Sequence, residues 1–478
     1  MAFQTFEYFV FLAVMMAGYF VLPHGMRWAL LLAGSYFFYM RWNAAYALLM
    51  LLSTGVTYAC GLGLAHVKTI RGKKACVAAS LVVNLGILFF FKYYGLVAGT
   101  LSAIPGVRLP QLNVLLPVGI SFYIFQALGY TIDVYRGDIP PVRHFGKYAL
   151  FVSFFPQLVA GPIERSGNLI RQFDEEHRPD FEMMRRGAVL ILLGLIKKLV
   201  VADRLAVLVD KVYGNAEVFG APAIIVATVC FAFQIYCDFS GYSDIAIGSA
   251  SLLGFRLMKN FDRPYFSRSI GEFWRRWHIS LSSRFRDYLY FPLGGSRVKA
   301  SRWVFNMLVV FLVSGLWHGA AWTFAAWGLL NGLYQVAGRY TRGFRDRLWR
   351  KAGVHPEGKV RTAVSVACTF ALTAFAWMLF RADSFQQLWG MLGKLVGGWE
   401  FGSLMELIHQ INGRECLMMA LLVLALLGSE CLCAKRDLSE TLLKLPQIVR
   451  WGIVLTLLFL LILFGKYSES PSFIYFQF

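Results

Sequence analysis

Charge is scarce in this sequence. Of 478 residues only 15% are Asp, Glu, Lys or Arg, against 58% hydrophobic and 16% aromatic, and the mean hydropathy is +0.56. Soluble globular chains carry about a quarter charged residues, so a water-soluble fold is excluded and the polytopic membrane class remains. Acids are the scarcer sign, 27 against 47 Lys and Arg, which leaves a net charge of +20. Such a charge could point to nucleic acid, but there is no soluble basic domain to carry a groove or a stacking platform, and no nucleic-acid partner is expected. The basic residues fall in loops between apolar segments, as the positive-inside rule places them on the cytoplasmic side, within reach of anionic membrane lipids.

Cysteine is present without a pattern. Cys60, Cys76, Cys230, Cys237 and Cys368 sit in or beside apolar runs, and Cys431 and Cys433 lack the further ligands of a zinc site. Neither a disulfide framework nor a metal site is expected. A leader pattern is missing too. The first apolar run, Phe9 to Leu22, has no Lys or Arg before it and no small-x-small site close behind it, and reads as an uncleaved span. Paired half-repeats of the kind that build transporters are not evident.

What is there is apolar helix. Runs recur near residues 8–22, 28–40, 44–65, 75–101, 113–133, 148–163, 187–209, 222–255, 303–338, 362–380, 417–433 and 449–465. At about 20 residues per crossing they predict an all-α polytopic membrane protein with about ten to twelve transmembrane or re-entrant helices, joined by amphipathic cytoplasmic helices. Residues 1–478 read as one membrane domain, with 222–255 long enough for one span plus a re-entrant piece.

Two basic loops fix the local topology. Arg256 to Arg302 holds eleven Lys or Arg against three acids, and Arg339 to Arg361 holds eight against two, so both loops should face the cytoplasm. Trp303 to Gly338 joins them over 36 residues. One straight helix of that length would run about 54 Å, far beyond a hydrocarbon core of about 30 Å. The segment must turn back, and Gly315 and Gly319 are the expected break. His318, in VSGLWHGAAWTF, then lies deep in the membrane, near the tip of a hairpin. A polar ring there is costly unless something pairs with it or uses it. Residue physics alone allows a satisfied core histidine as well as a functional one.

Other polar residues in apolar runs have bland readings. Asp238 and Asp244 are six apart, about 600° on a continuous helix, so they occupy different faces unless Gly241 breaks it. Asp238 could orient a histidine or cap a broken helix, and Gln234, one turn earlier, shares its face. Lys197 and Lys198 are expected to snorkel to the interface, and Pro117 and Pro162 to start or kink helices. From Glu272 to Leu293 aromatic and basic residues alternate, which suits an interfacial helix with Trp274, Trp277, Phe285 and Tyr288 among headgroups.

Several stretches together carry a resemblance: LPVGISFYIFQALGYTIDVYRG (116–137), PQLVAGPIER (156–165), YCDFSGYSDIAIG (236–248), EFWRRWHISLSSRFRDYLYFPLGG (272–295), GLWHGAAWTF (315–324) and the terminal FIYFQF. In this order they resemble the bacterial, polysaccharide-acetylating branch of the membrane-bound O-acyltransferases, over nearly the whole chain. The resemblance implies helices around a central tunnel in the bacterial inner membrane. There an acyl group, such as acetyl, would pass from a cytoplasmic thioester, acetyl-CoA or an acyl carrier, toward a hydroxyl of a polysaccharide acceptor. It implies no tightly bound cofactor, and an extracytoplasmic acetyltransferase as partner protein, since thioesters are made inside and polymer hydroxyls lie outside. Teichoic acid D-alanylation and lipid or protein acylation stand as alternatives, and a polytopic transporter as one from another class.

The family's most nearly invariant histidine falls on His318, and its second functional histidine on His278. A hydroxyl needs a base whose pKa lies near the working pH, and a neutral imidazole in an apolar cavity is such a base, worth typically ~10² to 10⁴ in rate. Burial should keep His318 uncharged. Asp238, Gln234 and Trp317 are expected as supporting residues. Arg275, Arg276 and Arg286 are candidates to bind the donor's phosphates, with plain lipid contact as the rival reading. Arg284 stands where the family pattern has an aromatic residue, so a contact carried over there is in doubt.

Overall fold

The computed structural model describes residues 1–112, 114–433, 437–467 and 473–476. Asn113, which opens one predicted apolar run, and the last two residues of the terminal FIYFQF lie outside the described residues. The described chain is mostly helical, with no β-strand among the described residues. An apolar run in lipid must satisfy every backbone N–H and C=O within itself, and the helix does so. All twelve predicted apolar runs contain helix.

Among the described residues, seven helices are long and apolar enough to cross a membrane: Ala44–His66, Ile70–Ser102, Ala221–Leu252, Ala300–His318, Lys359–Arg381, Gly413–Leu432 and Gln447–Phe464. The other runs fall short for visible reasons. Phe6–Val21, His24–Met40 and Ile120–Arg136 have 16, 17 and 17 residues. The 148–163 run breaks at Phe154 into helices of nine and four residues. The run around 187–209 carries Lys197, Lys198, Asp203 and Arg204. Ala221–Leu252 is one unbroken helix of 32 residues, so the second piece expected there is more of the same helix, and Asp238 and Asp244 stay on different faces.

The chain forms two compact units. The first comprises Met1–Leu192 and Tyr242–Lys259. Its core is aromatic: Phe3, Phe11 and Phe38 gather around Tyr8 and Phe155 at centroid distances of 4.8 to 6.1 Å. Two of its buried tyrosine hydroxyls are satisfied internally, Tyr8 donating to Ser249 at 2.8 Å and Tyr148 to Thr57 at 2.7 Å, as an apolar surrounding favours.

The second unit comprises Leu193–Gly241 and Asn260–Phe478. Its centre is the antiparallel hairpin of Ala300–His318 and Trp322–Tyr340. The turn comes where the sequence placed it: the first helix ends at His318 and Gly319 is extended, φ −156° and ψ 150°. Gly315 has a different task from the predicted one. It lies inside the helix, where a Cβ would collide with the Phe324 carbonyl and sit 3.0 Å from Gly328 Cα. Small residues at the crossing let two backbones touch, which is how apolar helices gain packing energy without a hydrophobic drive.

Two local expectations are overturned in this unit. Glu272 to Leu293 is no continuous interfacial helix. It divides into Ile270–Arg276 and Ile279–Phe285 at a left-handed residue, His278, and Trp274, Trp277 and Phe285 are buried. Trp277 is walled by Phe273, Phe261 and Trp377 at 5.4, 5.1 and 4.9 Å. Alternation of aromatic and basic residues marks an amphipathic surface without saying whether lipid or protein covers it. Nor does Lys198 snorkel. It is 1% exposed and paired with two carboxylates, while Lys197 lies 5.9 Å from the Tyr236 ring.

Candidate active site

The two histidines singled out by the sequence come together in the second unit. Their ring centroids lie 6.3 Å apart, and His278 and His318 are 1% and 4% exposed. His318 is delivered by the C-terminal end of Ala300–His318. Its ring meets Trp327 edge-on at 5.2 Å and 90°, Phe380 at 5.8 Å and Tyr475 at 5.4 Å. Trp327 comes from the returning arm of the hairpin and Phe380 from Lys359–Arg381, so three elements box the imidazole in.

His278 is delivered by a corner. Its backbone is left-handed, φ 43° and ψ 54°, a conformation rare for residues with a side chain. The corner is locked by a facing loop: Ile279 N–H donates to Asn260 C=O and Asp262 N–H to Arg276 C=O, both at 2.9 Å. The Asn260 amide finishes the work. Its Oδ1 lies 3.0 Å from His278 Nδ1 and accepts from Ser280 Oγ at 2.8 Å. An acceptor at that distance calls for a proton on Nδ1, which makes Nε2 the lone-pair nitrogen of the neutral ring. Burial, and after it the neighbouring His318, hold the imidazole well below its usual range, since charging a desolvated ring is costly. Phe239 closes the other side, edge-on at 4.7 Å and 88°.

The supporting residues are placed unevenly. Trp317 is buried and packs against Phe285 at 6.2 Å, next to His318 in sequence but against a different neighbour. Gln234 is buried on the Ala221–Leu252 helix, and its Oε1 has no hydrogen-bond partner among the described residues. Asp238, one turn on, has Oδ1 2.7 Å from Lys198 Nζ and Oδ2 accepting from the Ile474 backbone N–H at 2.8 Å. These bonds go to an ammonium and to the backbone, not to a histidine.

The candidate donor-binding arginines do not gather on the imidazoles. Arg276 pairs with Glu272 at 2.6 Å, Arg286 with Asp287 at 2.9 Å, and Arg275 is exposed. Arg284 is buried, its guanidinium 5.3 Å from the Tyr288 ring and donating to that hydroxyl, so it offers no surface charge to a phosphate.

Sequence reasoning missed Asn260, Phe239 and Tyr475. Asn260 carries no spacing signal, and its role exists only once the 260–263 loop lies along the 276–280 corner. Tyr475 lies in a quoted motif, but only the fold brings the chain's end within 5.4 Å of His318. Chemically, the arrangement offers a fixed neutral imidazole beside a second one in an aromatic enclosure, suited to moving a proton with water excluded.

Known proteins are similar to this chain. Residues 142–376 match the model of MBOAT, the membrane-bound O-acyltransferase family. The "Probable alginate O-acetylase AlgI" of Pseudomonas aeruginosa is 37% identical over 431 residues, 88% of this chain and 80% of that protein. The peptidoglycan O-acetyltransferase of Helicobacter pylori is 33% identical, over 81% and 78% of the two chains. The teichoic acid D-alanyltransferase of Streptococcus thermophilus is 30% identical, over 55% and 68%.

Proposed function

This chain belongs to the membrane-bound O-acyltransferase family and is an O-acyltransferase; from that premise we propose that it moves an acetyl group from a cytoplasmic thioester toward hydroxyls of an extracytoplasmic polysaccharide, with His318 as general base. The donor is acetyl-CoA or an acyl carrier, and the setting is a multi-pass position in the bacterial inner membrane. The observation that carries the reading is the enclosure of two imidazoles 6.3 Å apart within a chain whose relatives include an alginate O-acetylase and a peptidoglycan O-acetyltransferase.

The step balances simply. His318 takes the proton of the hydroxyl that enters the enclosure, the oxygen attacks the thioester carbonyl, the C–S bond breaks, and the leaving thiolate takes that proton back from the His318 imidazolium. Holding hydroxyl and thioester together away from water supplies what the base does not. His278, its tautomer set by Asn260, positions the reacting groups with Nε2 toward the site, and Trp317 and Gln234 support the walls. Arg275, Arg276 and Arg286 attract the donor's phosphates. An extracytoplasmic acetyltransferase completes delivery to the polymer, because a bilayer separates the thioester from the polymer.

The test is His318→Ala, expected to abolish polymer acetylation and thioester consumption while protein level and insertion hold. His278→Ala is expected to lose most of the rate. Normal acetyl content of the polymer by mass spectrometry in the His318 variant would refute the base assignment, and solute movement by reconstituted protein without thioester consumption would favour a transporter.

A further inference from the structure

The buried cluster of Lys198, Asp203 and Asp238 needs a reason. Lys198 Nζ lies 2.7 Å from Asp203 Oδ1 and 2.7 Å from Asp238 Oδ1, and all three residues are at most 3% exposed. Charges taken out of water are costly even when paired, and hydrophobic replacements often serve stability as well, so stability alone is a weak account of the cluster. The local fold is arranged to bring it about. Ile196–Ala202 is a π-helical segment, and Gly241 on the facing helix approaches it so closely that a Cβ would lie 2.7 Å from Gly194 C=O and 3.2 Å from Lys198 N. That close approach sets Asp238, one turn before Gly241, onto the Lys198 ammonium.

Two carboxylates share one ammonium, and the surplus acceptor is used. Asp238 Oδ2 takes the backbone N–H of Ile474 at 2.8 Å, a charge-assisted bond of the stronger kind. The next residue in the helix, Phe239, meets Tyr475 at 4.5 Å, Phe473 at 5.6 Å and His278 at 4.7 Å. The same short stretch of chain ties down the approach to the terminus: Lys466 N–H donates to Leu199 C=O at 3.1 Å, and Arg204 donates to Phe464 C=O at 2.9 Å. A chain terminus is poorly ordered unless held. Here the held segment lays Tyr475 5.4 Å from His318 and 6.4 Å from His278.

We propose that Asp238, fixed by Lys198 and Asp203, is a positioning residue that anchors the C-terminal segment and so holds Tyr475 against the two imidazoles. The catalytic consequence rests on the function proposed above; the anchoring does not.

The test reads the anchor directly. In a full-length background without the eight native cysteines, Tyr475→Cys is alkylated in native membranes with a small maleimide. Asp238→Ala is expected to speed alkylation by about tenfold or more, the scale of one lost charge-assisted hydrogen bond. Ile474→Pro removes the N–H donor from the other side and should do the same. Because it leaves the ion cluster whole, it decides the matter if Asp238→Ala fails to fold. Unchanged alkylation in folded Ile474→Pro would overturn the proposal.

Turnover is then measured with Tyr475 in place. Each single variant should lower kcat with donor KM within about twofold, and the double variant should lose no more than the worse single one, since both cut the same bond. Additive losses would mean merely structural damage and would overturn the positioning role. If even the unaltered protein consumes no thioester, the enzymatic reading fails while the alkylation rates still decide the anchor.

Discussion

Gly315→Ala probes how tightly the hairpin fixes His318. The added methyl carbon would collide with the Phe324 carbonyl and lie 3.0 Å from Gly328 Cα and 3.1 Å from Gly328 N. Ordinary carbon contacts sit at about 3.5–4.0 Å, and the Phe324 carbonyl is closer still than Gly328, so the two helices must part by roughly 1 Å or more at the crossing. Both partners there are backbone, which leaves no flexible side chain to give way. Overpacking of this kind costs typically 1–3 kcal/mol, to be seen as a fall in the melting temperature of the purified protein. His318 follows three residues later on the same helix, so the shift reaches the imidazole with little loss. A misplacement of about 1 Å can cost ~10² in rate. Thioester consumption should therefore fall by about that factor, more than the melting shift alone would suggest. Gly338→Ala is the control. It lies in the returning helix with nothing within 4 Å of an added Cβ, and alanine there should stabilise by about 0.5–1 kcal/mol with turnover unchanged. Equal turnover and melting for Gly315→Ala and the unaltered protein would refute the claim that this crossing aims His318.

Other outcomes follow from the same geometry. Asn260→Ala removes the acceptor of both His278 Nδ1 and Ser280 Oγ; turnover should drop about 10- to 100-fold, by analogy with the outer partners of metal-ligand histidines, and a rate within twofold of the parent would show the tautomer needs no such support. Arg275→Ala and Arg286→Ala should raise donor KM several-fold with kcat retained, each losing one charge-assisted phosphate contact; a flat KM would return them to lipid contact. Because His278 is held well below its usual range, chiefly by burial, the unfolded chain binds a proton that the folded one resists. Stability from this source is present above about pH 6.5 and lost as pH falls below it. Melting temperature followed against pH should fall less steeply in His278→Gln than in the parent, and parallel curves would refute that source.

Much of the fold was legible because the helix in lipid is a local solution. Every apolar run named in advance contains helix, and the turn after His318 follows from the length of one segment set against one bilayer. What stayed illegible were matters of facing. Lys198 and Lys197 are neighbours in an apolar run, yet one is buried between two acids and the other lies near the Tyr236 ring. Spacing alone does not separate them, since one of the two carboxylates on Lys198, that of Asp238, is forty residues away. The same blindness turned the buried Trp277 into an expected headgroup residue. His318 was legible from its surroundings and both histidines from the resemblance, but the pairing rests on contacts between distant stretches, and Asn260 had no signal before that pairing existed.

The left-handed backbone at His278 bears on what kind of site this is. A non-glycine residue in that region costs about 1–3 kcal/mol and persists only where its surroundings over-determine it. The surroundings do so here: two backbone bonds from the 260–263 loop, the Asn260 amide on the ring, and Phe239 against its edge. Arg263, at the opposite end of that loop, is left-handed as well, φ 46°, so both sides of the pairing turn sharply. A histidine serving only as core filler could sit on either short helix at no such cost. Strain held in place by directed hydrogen bonds fixes the orientation of a ring, and this ring lies 6.3 Å from a second imidazole. That directional demand is what the role proposed for the two histidines requires.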